Sequence, residues 1–329
     1  MGFKLKIIVI VIVFTAFVIG FIYLNFYAVP SSGKGEKVLV EIPKGLGLKD
    51  IALKLEEAGV IRSDKLFILS VFIKGATGKL KAGEYEFQIA DPQDRIIGKL
   101  INGDVIVRRI TIPEGFTTND IAELLEKNNI MNSESFVEKA NSTEFTKELF
   151  GVTLPSFEGY LFPDTYLYKK GISPEELIRM MVFRFKEVYE PLKANSGELN
   201  LKDHEVVILA SNIEKETGNT YERPLISAVF HNRLRLGMRL ESDPTVIYGM
   251  GDFDGNLTKN DLKIETKYNT YTIFKLPPGP ISNPGKDSLI AALNPANVNY
   301  LYFVSKGDGN HEFSSNYLDH QRGVTKYQR

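Results

Sequence analysis

The sequence contains no cysteine. That absence removes disulfides, thiolate nucleophiles, cysteine-based zinc sites and lipid attachment at an N-terminal cysteine. Histidine is scarce too: His204, His231, His311 and His320 form neither an HExxH motif nor a tight cluster, so no metal site is expected. Charge of one sign is also lacking. Forty basic residues face forty-one acidic ones, for a net charge of -1, so no global field draws the chain to nucleic acid. No GxGxxG follows a strand, no GxxxxGK[ST] is present and no GxSxG marks a nucleophile elbow, which removes the main signals of nucleotide-binding and serine-hydrolase chemistry. DFDGN at 252–256 begins like a calcium loop, but its glycine stands fourth rather than sixth, and Lys263 occupies the place of the closing glutamate. A pyridoxal-phosphate lyase would need a Schiff-base lysine and a phosphate cradle, and neither is evident. No cofactor is expected.

The chain has 329 residues, 43% hydrophobic and 25% charged, enough for one large domain or two modest ones with proper cores. Its N-terminus carries a long apolar run. From Ile7 to Ala28, IIVIVIVFTAFVIGFIYLNFYA holds no charge, and a hydrocarbon core of about 30 Å needs about 20 such residues in a helix. Lys4 and Lys6 precede it, so the positive-inside bias predicts a cytoplasmic tail (1–6), one transmembrane helix (7–28) and an extracytoplasmic remainder. A cleaved signal peptide would have a shorter apolar region and a small-x-small cleavage site, which Phe26 and Ala28 do not make. A polar linker follows at 29–37.

An internal repeat comes next. VEIPKGLGLKDIALKLEEAGVI (40–61) and ITIPEGFTTNDIAELLEKNNIM (110–131) coincide at Pro43/Pro113, Gly45/Gly115, Asp50/Asp120, Ile51/Ile121 and Leu55/Leu125. Each copy reads as a strand, a Pro-x-Gly turn and a helix, with Asn119 or Asp120 as candidate caps of the second helix. The first copy continues through a second helix at about 64–74 to the alternating strand GEYEFQI. That order of strand, helix, helix and strand resembles the LysM glycan-binding module, and 38–108 is expected to be such a subdomain or a simple α+β spacer.

From about 150 onward, apolar helices alternate with Pro/Gly/Asn-rich loops. Helices are expected at 173–192, with Leu177, Met181 and Phe185 as a core stripe, and at 223–237, with Gly237 as the stop. FEGYLFPDTY, ESDPTVIYGMG, YNTY and LPPGPISNPG read as loops whose rings and amides suit a carbohydrate or peptide cleft. The expected fold class is α+β.

The chemistry centres on DHEVVILASNIEKETG, with Asp203 as candidate N-cap and Gly218 as candidate stop. Taking about 100° per residue, Glu214 lies roughly 60° from the centre of the apolar face and Glu216 roughly 100° away, which favours Glu214 as the buried carboxylate. Helix ends argue the other way: Glu216 lies in the last turn, where unpaired carbonyls raise a carboxyl pKa. A carboxyl that keeps its proton near neutral pH suits a general acid. Two glutamates near a lysine at a helix end also describe an ordinary solvated terminus. The residues alone permit acid catalysis without demanding it.

The motifs FEGYLFPDTY, EKET, SDPTVIYG, YNTY and LPPGPI, in that order from about Ile110 to the C-terminus, closely resemble the endolytic murein transglycosylase (MltG) family. The resemblance implies a catalytic domain at 109–329 and a single-pass protein of the inner membrane that cuts peptidoglycan strands internally. It places the catalytic acid at Glu216, the second glutamate of EKET. Glu158, Asp164, Tyr166, Asp243, Thr245, Asn269 and Tyr271 occupy family motifs and are expected to line the glycan cleft. Asp243, before Pro244, could equally order a turn. The implied chemistry leaves a 1,6-anhydro muramyl end, with the nucleophile supplied by the substrate, so one carboxylate suffices where a hydrolase uses two. Glu214 and Glu216, two apart on a helix, do not face each other and make a poor dyad. Peptidoglycan strands are the implied substrate and cell-wall synthases (penicillin-binding proteins) the implied partners. The alternative is a non-catalytic, membrane-anchored peptidoglycan-binding scaffold.

Overall fold

The computed structural model describes residues 2–22, 36–89, 91–194, 196, 201–251 and 253–328. The chain divides into two units, Met1–Arg108 with Leu167–Lys170, and Arg109–Tyr166 with Gly171–Arg329. The fold is mixed α and β, with three two-stranded sheets among the described residues.

In the first unit, helix α1 (Gly2–Ile22) precedes strand β1 (Lys37–Ile42), α2 (Leu48–Glu57), α3 (Asp64–Ile73), strand β2 (Gly83–Gln88) and α4 (Gln93–Asn102). The anchor expected at 7–28 coincides with α1 as far as Ile22, and its remainder lies outside the described residues. Among the described residues no helix is long and apolar enough to cross a membrane.

β1 and β2 pair antiparallel, with Val40 opposite Tyr85 and Val38 opposite Phe87. Strand alternation turns Tyr85 and Phe87 to one face, where their rings stack at 5.6 Å and close a core with Ile51, Leu55, Phe67, Val71, Ile96 and Leu100. The apolar spacing of α2 (Ile51, Ala52, Leu55) is therefore the buried stripe that the repeat predicts.

Strand β3 (Val107–Thr111) opens the second copy of the repeat and leads to α5 (Thr118–Lys127), α6 (Ser133–Ala140), α7 (Thr143–Phe150) and strand β4 (Thr165–Lys169), the partner of β3. The cap of α5 is Thr117 rather than Asn119 or Asp120. Its hydroxyl accepts the Asp120 N–H at 3.1 Å while the Asp120 carboxylate accepts the Thr117 N–H at 2.8 Å, a reciprocal capping box.

The second unit continues with α8 (Pro174–Ala194), α9 (Asp203–Glu216), α10 (Arg223–Arg235), α11 (Asp243–Met250), α12 (Lys286–Leu293), strands β5 (Tyr302–Ser305) and β6 (His311–Ser314), and α13 (Tyr317–Tyr327). Leu177, Met181 and Phe185 on α8 are buried, as their stripe predicts. Two expectations for this region are corrected. ESDPTVIYGMG is not a loop, because Asp243 and Pro244 start α11; proline needs no N–H partner in a first turn. The N-cap of α9 is Lys202, whose N–H donates to the Glu205 carboxylate at 2.8 Å, and the helix stops at Thr217 in extended backbone rather than at Gly218.

α9 is the centre of this unit. All eight residues from Val206 to Ile213 are buried, so the helix is covered on every side, by α8's core face, α10, α11 and α12. Leu209, at 0% exposure, lies in the middle of that core. Leu209→Ala should therefore cost about 2–5 kcal/mol in unfolding free energy, measured by urea titration. A cost below about 1 kcal/mol would mean that α9 is not the packing centre.

Candidate active site

At the C-terminal end of α9 the two glutamates enter different surroundings. Glu214 faces Arg223, the first residue of α10, whose Nη2 donates to Glu214 Oε1 at 2.9 Å; the two side chains are 6% and 7% exposed. Its second oxygen, Oε2, accepts the Gly285 N–H at 2.9 Å at the start of α12. A Cβ on Gly285 would stand 2.0 Å from Glu114 Oε1, so a larger residue there would displace the Glu114 side chain. Arg223 also lies 3.7 Å from Glu114 and 3.6 Å from Asp287. Burial and then the Glu214 charge push the Glu114 carboxyl above its usual range. Glu214 thus ties three helices together through one buried ion pair.

Glu216 has a different partner. Ser242, 1% exposed, donates its hydroxyl to Glu216 Oε1 at 2.5 Å. Burial pushes the Glu216 carboxyl up to about 7; Ser242 works against this by stabilising the ionised form, the Asp243 charge adds to the rise and Arg233 opposes it. The residue itself is only half-buried, which leaves it accessible beside a carboxyl that protein has desolvated.

Ser242 is held in place from two directions. Arg233, 6% exposed, donates through Nη1 to the carbonyls of Arg239 and Leu240 and to the Glu241 carboxylate, and through Nε to the Leu301 carbonyl. That clamp holds Glu241 at φ 52°, a left-handed conformation uncommon for a residue with a side chain. From the other direction the Thr270 hydroxyl accepts the Ser242 N–H at 2.9 Å, and the Thr245 hydroxyl donates to the Ser242 carbonyl at 2.6 Å. Neither Ser242 nor Arg233 is singled out by sequence reasoning. The signal available was the serine standing directly before Asp243-Pro244 in a quoted motif.

The seven cleft expectations separate into groups. Asp243 is exposed at the first turn of α11, and the half-buried Tyr271 donates its hydroxyl to Asp243 Oδ1 at 2.6 Å; the Glu216 charge reaches Tyr271 as well. These two stand with Glu216. Thr245 and Asn269 are 0% exposed. The Thr245 hydroxyl meets that of Thr270 at 2.8 Å, while the Asn269 amide donates to the Leu262 and Ile264 carbonyls and its oxygen accepts the Tyr271 N–H. Both build the wall that carries Ser242 and Tyr271.

Glu158, 6% exposed, receives the Thr118 N–H, the Asn283 amide at 3.0 Å and the Tyr248 hydroxyl at 3.3 Å. Burial pushes its carboxyl up to about 7 against those donors. Tyr248 lies on α11, so Glu158 is joined to the helix that begins beside Glu216. Tyr166 donates its hydroxyl to the Phe162 carbonyl at 2.5 Å inside the core, and Asp164 pairs with Arg184 at 2.7 Å. Among the described residues neither joins the hydrogen-bonded group around Glu216.

The pattern of the YceG-like family matches residues 40–326. A Bacillus subtilis protein named endolytic murein transglycosylase is 33% identical, aligned over 88% of this chain and 84% of its own. A Streptococcus pneumoniae protein of the same name is 29% identical, covering 94% of this chain and 62% of its own, so the chain spans less than two thirds of that relative. The crystal structure of a yceG-like protein from Listeria monocytogenes superposes with a TM-score of 0.59 at 34% identity, over 87% of this chain and 99% of that one.

The two glutamates should separate under mutation. Glu214→Ala leaves Arg223 buried without its main partner and should cost about 3–5 kcal/mol by chemical denaturation. Glu114→Ala, which removes a half-exposed carboxylate, should cost less than about 1 kcal/mol. Equal costs would mean that the Glu214 pair does not fasten the helices.

Proposed function

The chain belongs to the YceG-like family, and from that premise we propose that it is an endolytic murein transglycosylase, a lyase that cuts peptidoglycan strands internally. The observation that carries the reading is Glu216, a carboxyl that burial keeps protonated up to about 7, accessible beside exposed Asp243 and half-buried Tyr271.

Glu216 gives its proton to the glycosidic oxygen between N-acetylmuramic acid and N-acetylglucosamine, and the bond from that oxygen to the muramyl anomeric carbon breaks. In this reading the exposed Asp243 carboxylate, held by the Tyr271 hydroxyl, supplies negative charge against the positive charge that grows at that carbon. Glu216, now ionised and stabilised by the Ser242 hydroxyl, takes the proton from the muramyl C6 hydroxyl. The C6 oxygen closes on the anomeric carbon, forming the 1,6-anhydro ring and returning Glu216 to its protonated state without consuming water. One carboxyl serves as acid and then base, so no second carboxylate at hydrolase spacing is required. Glu214 is excluded from this cycle by its ion pair. Thr245 and Asn269 support the wall of the cleft, and Glu158 braces α11 from its far side.

Anchoring to the cytoplasmic membrane through one N-terminal helix is part of the same proposal. It is supported by the uncharged run from Ile7, by Lys4 and Lys6 before it, and by the exposure of the apolar side chains from Ile7 to Phe14 and of Phe17 on α1. That topology sets the catalytic unit on the cell-wall side. The unit at 38–108, with its LysM-like order of elements, would contribute glycan contacts. Contact with cell-wall synthases rests on the family resemblance alone.

Digestion of purified glycan strands followed by mass spectrometry should reveal anhydro-muramyl ends, and Glu216→Gln should lower their rate of appearance on the order of 100-fold or more. Wild-type ends without anhydro sugars, or a Glu216→Gln protein as fast as wild type, would overturn the assignment, and glycan binding without new ends in either protein would favour a binding scaffold. Because the acid must be protonated in the free enzyme, kcat/KM should fall as pH rises through about 7. Ser242→Ala removes a donor that favours the ionised form, so it should move that limb to higher pH. A limb shifted downward would refute the assigned role of Ser242.

A further inference from the structure

A recess lies on the same unit, apart from the group around Glu216, and the reading above does not use it. It is a cleft of about 1050 Å³ between the N-terminal half of α9, the end of α10 and the segment 267–278. Its α9 wall includes Ile208, and Ile208, Asn212 and Glu216 occupy successive turns of one helix face. At the helical rise, Ile208 stands about 12 Å from Glu216 along α9, a separation on the order of one disaccharide of a glycan strand. The other wall belongs to the segment that carries Tyr271, so the cleft and the Glu216 site share two structural elements.

The chemistry of the recess differs from that of a bare sugar site. Arg235, Lys267 and Lys275 line it with exposed cationic ends, and among the described residues neither lysine makes an ion pair. Among the described lining residues Glu205 alone is acidic; it accepts the Lys202 N–H and stands against three cations, so the recess keeps a net positive charge. His204 and His231 add no charge at neutral pH, because burial pushes both imidazoles down. Between the cations, the half-buried Leu234, Ile273 and Leu276 and the exposed Pro278 offer apolar surface. Cationic rims around an apolar floor select a ligand with carboxylates separated by small aliphatic groups. A neutral N-acetyl sugar needs no such charge. The peptide stem of peptidoglycan, attached to muramic acid through its lactyl group, has that character.

We propose that this cleft is a docking site for the carboxylate-bearing peptide stem on the muramic acid next along the strand from the bond that Glu216 cuts. The proposal rests on the transglycosylase reading for its substrate. It makes the enzyme a reader of strands that still carry their stems, with recognition by charge at the cleft and chemistry at Glu216. Exposed ion pairs of this kind are weak and screened by salt, so the preference is modest and greatest at low ionic strength.

Binding of N-acetylmuramyl-L-alanyl-D-glutamate to the full chain in detergent, measured against its diamide, tests the site without turnover. Wild type and Glu216→Gln should both bind the diacid about three- to tenfold more tightly than the diamide at low salt. K267E/K275E should abolish that difference while its thermal unfolding stays that of wild type. The single variants K267A and K275A, each lowering the difference in part, guard against a misfolded double variant. Equal affinity for diacid and diamide in wild type, an undiminished difference in K267E/K275E, or displacement of the diacid by equimolar inorganic phosphate would overturn the proposal. A protein that keeps the difference but forms no anhydro ends would refute the lyase reading and leave a stem-binding site standing.

Discussion

The hydroxyl of Ser242 against the carboxyl of Glu216 is the contact on which the rest of the site depends. Burial alone would make Glu216 a poor acid, since a carboxyl too costly to ionise never releases its proton. One donor at 2.5 Å moderates that cost without removing it, and leaves the group near 7. Everything around the pair serves to hold it. Arg233 fixes the turn before Ser242, Thr245 and Thr270 fix its backbone, and Asn269 fixes the segment that bears Thr270 and Tyr271. α9 is held in turn by Glu214, whose pair with Arg223 and bond to Gly285 join its last turn to α10 and α12.

Glu214 and Glu216 show how far two like residues diverge when their partners differ. A guanidinium and a backbone amide satisfy Glu214 as an ion, which makes it a fastening. A neutral hydroxyl and a nearby carboxylate leave Glu216 under-compensated, which makes it a proton carrier. The stored cost of that environment is carried by a helix buried on all sides, one of the few settings rigid enough to keep it.

Much of this architecture was legible in the sequence. The repeat at 40–61 and 110–131 yields two strand–helix–helix segments, the stripe of α8 is buried, and the mixed α and β class holds, because each rests on local periodicity. Helix-face arithmetic put Glu214 on the buried side, where its side chain is 6% exposed against Arg223, but it could not say which glutamate is the acid, because their partners rather than the helix face separate the two. ESDPTVIYGMG read as a loop because Asp-Pro is a common turn, whereas here the proline opens α11. The parts that tune the acid were the least legible: Arg233 and Ser242 lie 17 and 26 residues beyond Glu216 and meet it only through tertiary packing. The last-turn argument gave the right direction for Glu216 but not the cause, since burial and then the Asp243 charge raise the carboxyl.

The central claim is that Glu216 stays protonated near neutral pH while its neighbour two residues away is an ion-paired carboxylate. The direct measurement is a carbon-13 NMR titration of glutamate side-chain carboxyls, with Glu216→Gln and Glu158→Gln used to assign the two resonances that move late. The account predicts a Glu216 resonance with a midpoint at about 7 that shifts upward in Ser242→Ala. A Glu216 carboxyl that titrates in the ordinary carboxylate range, around 4.5, would contradict it.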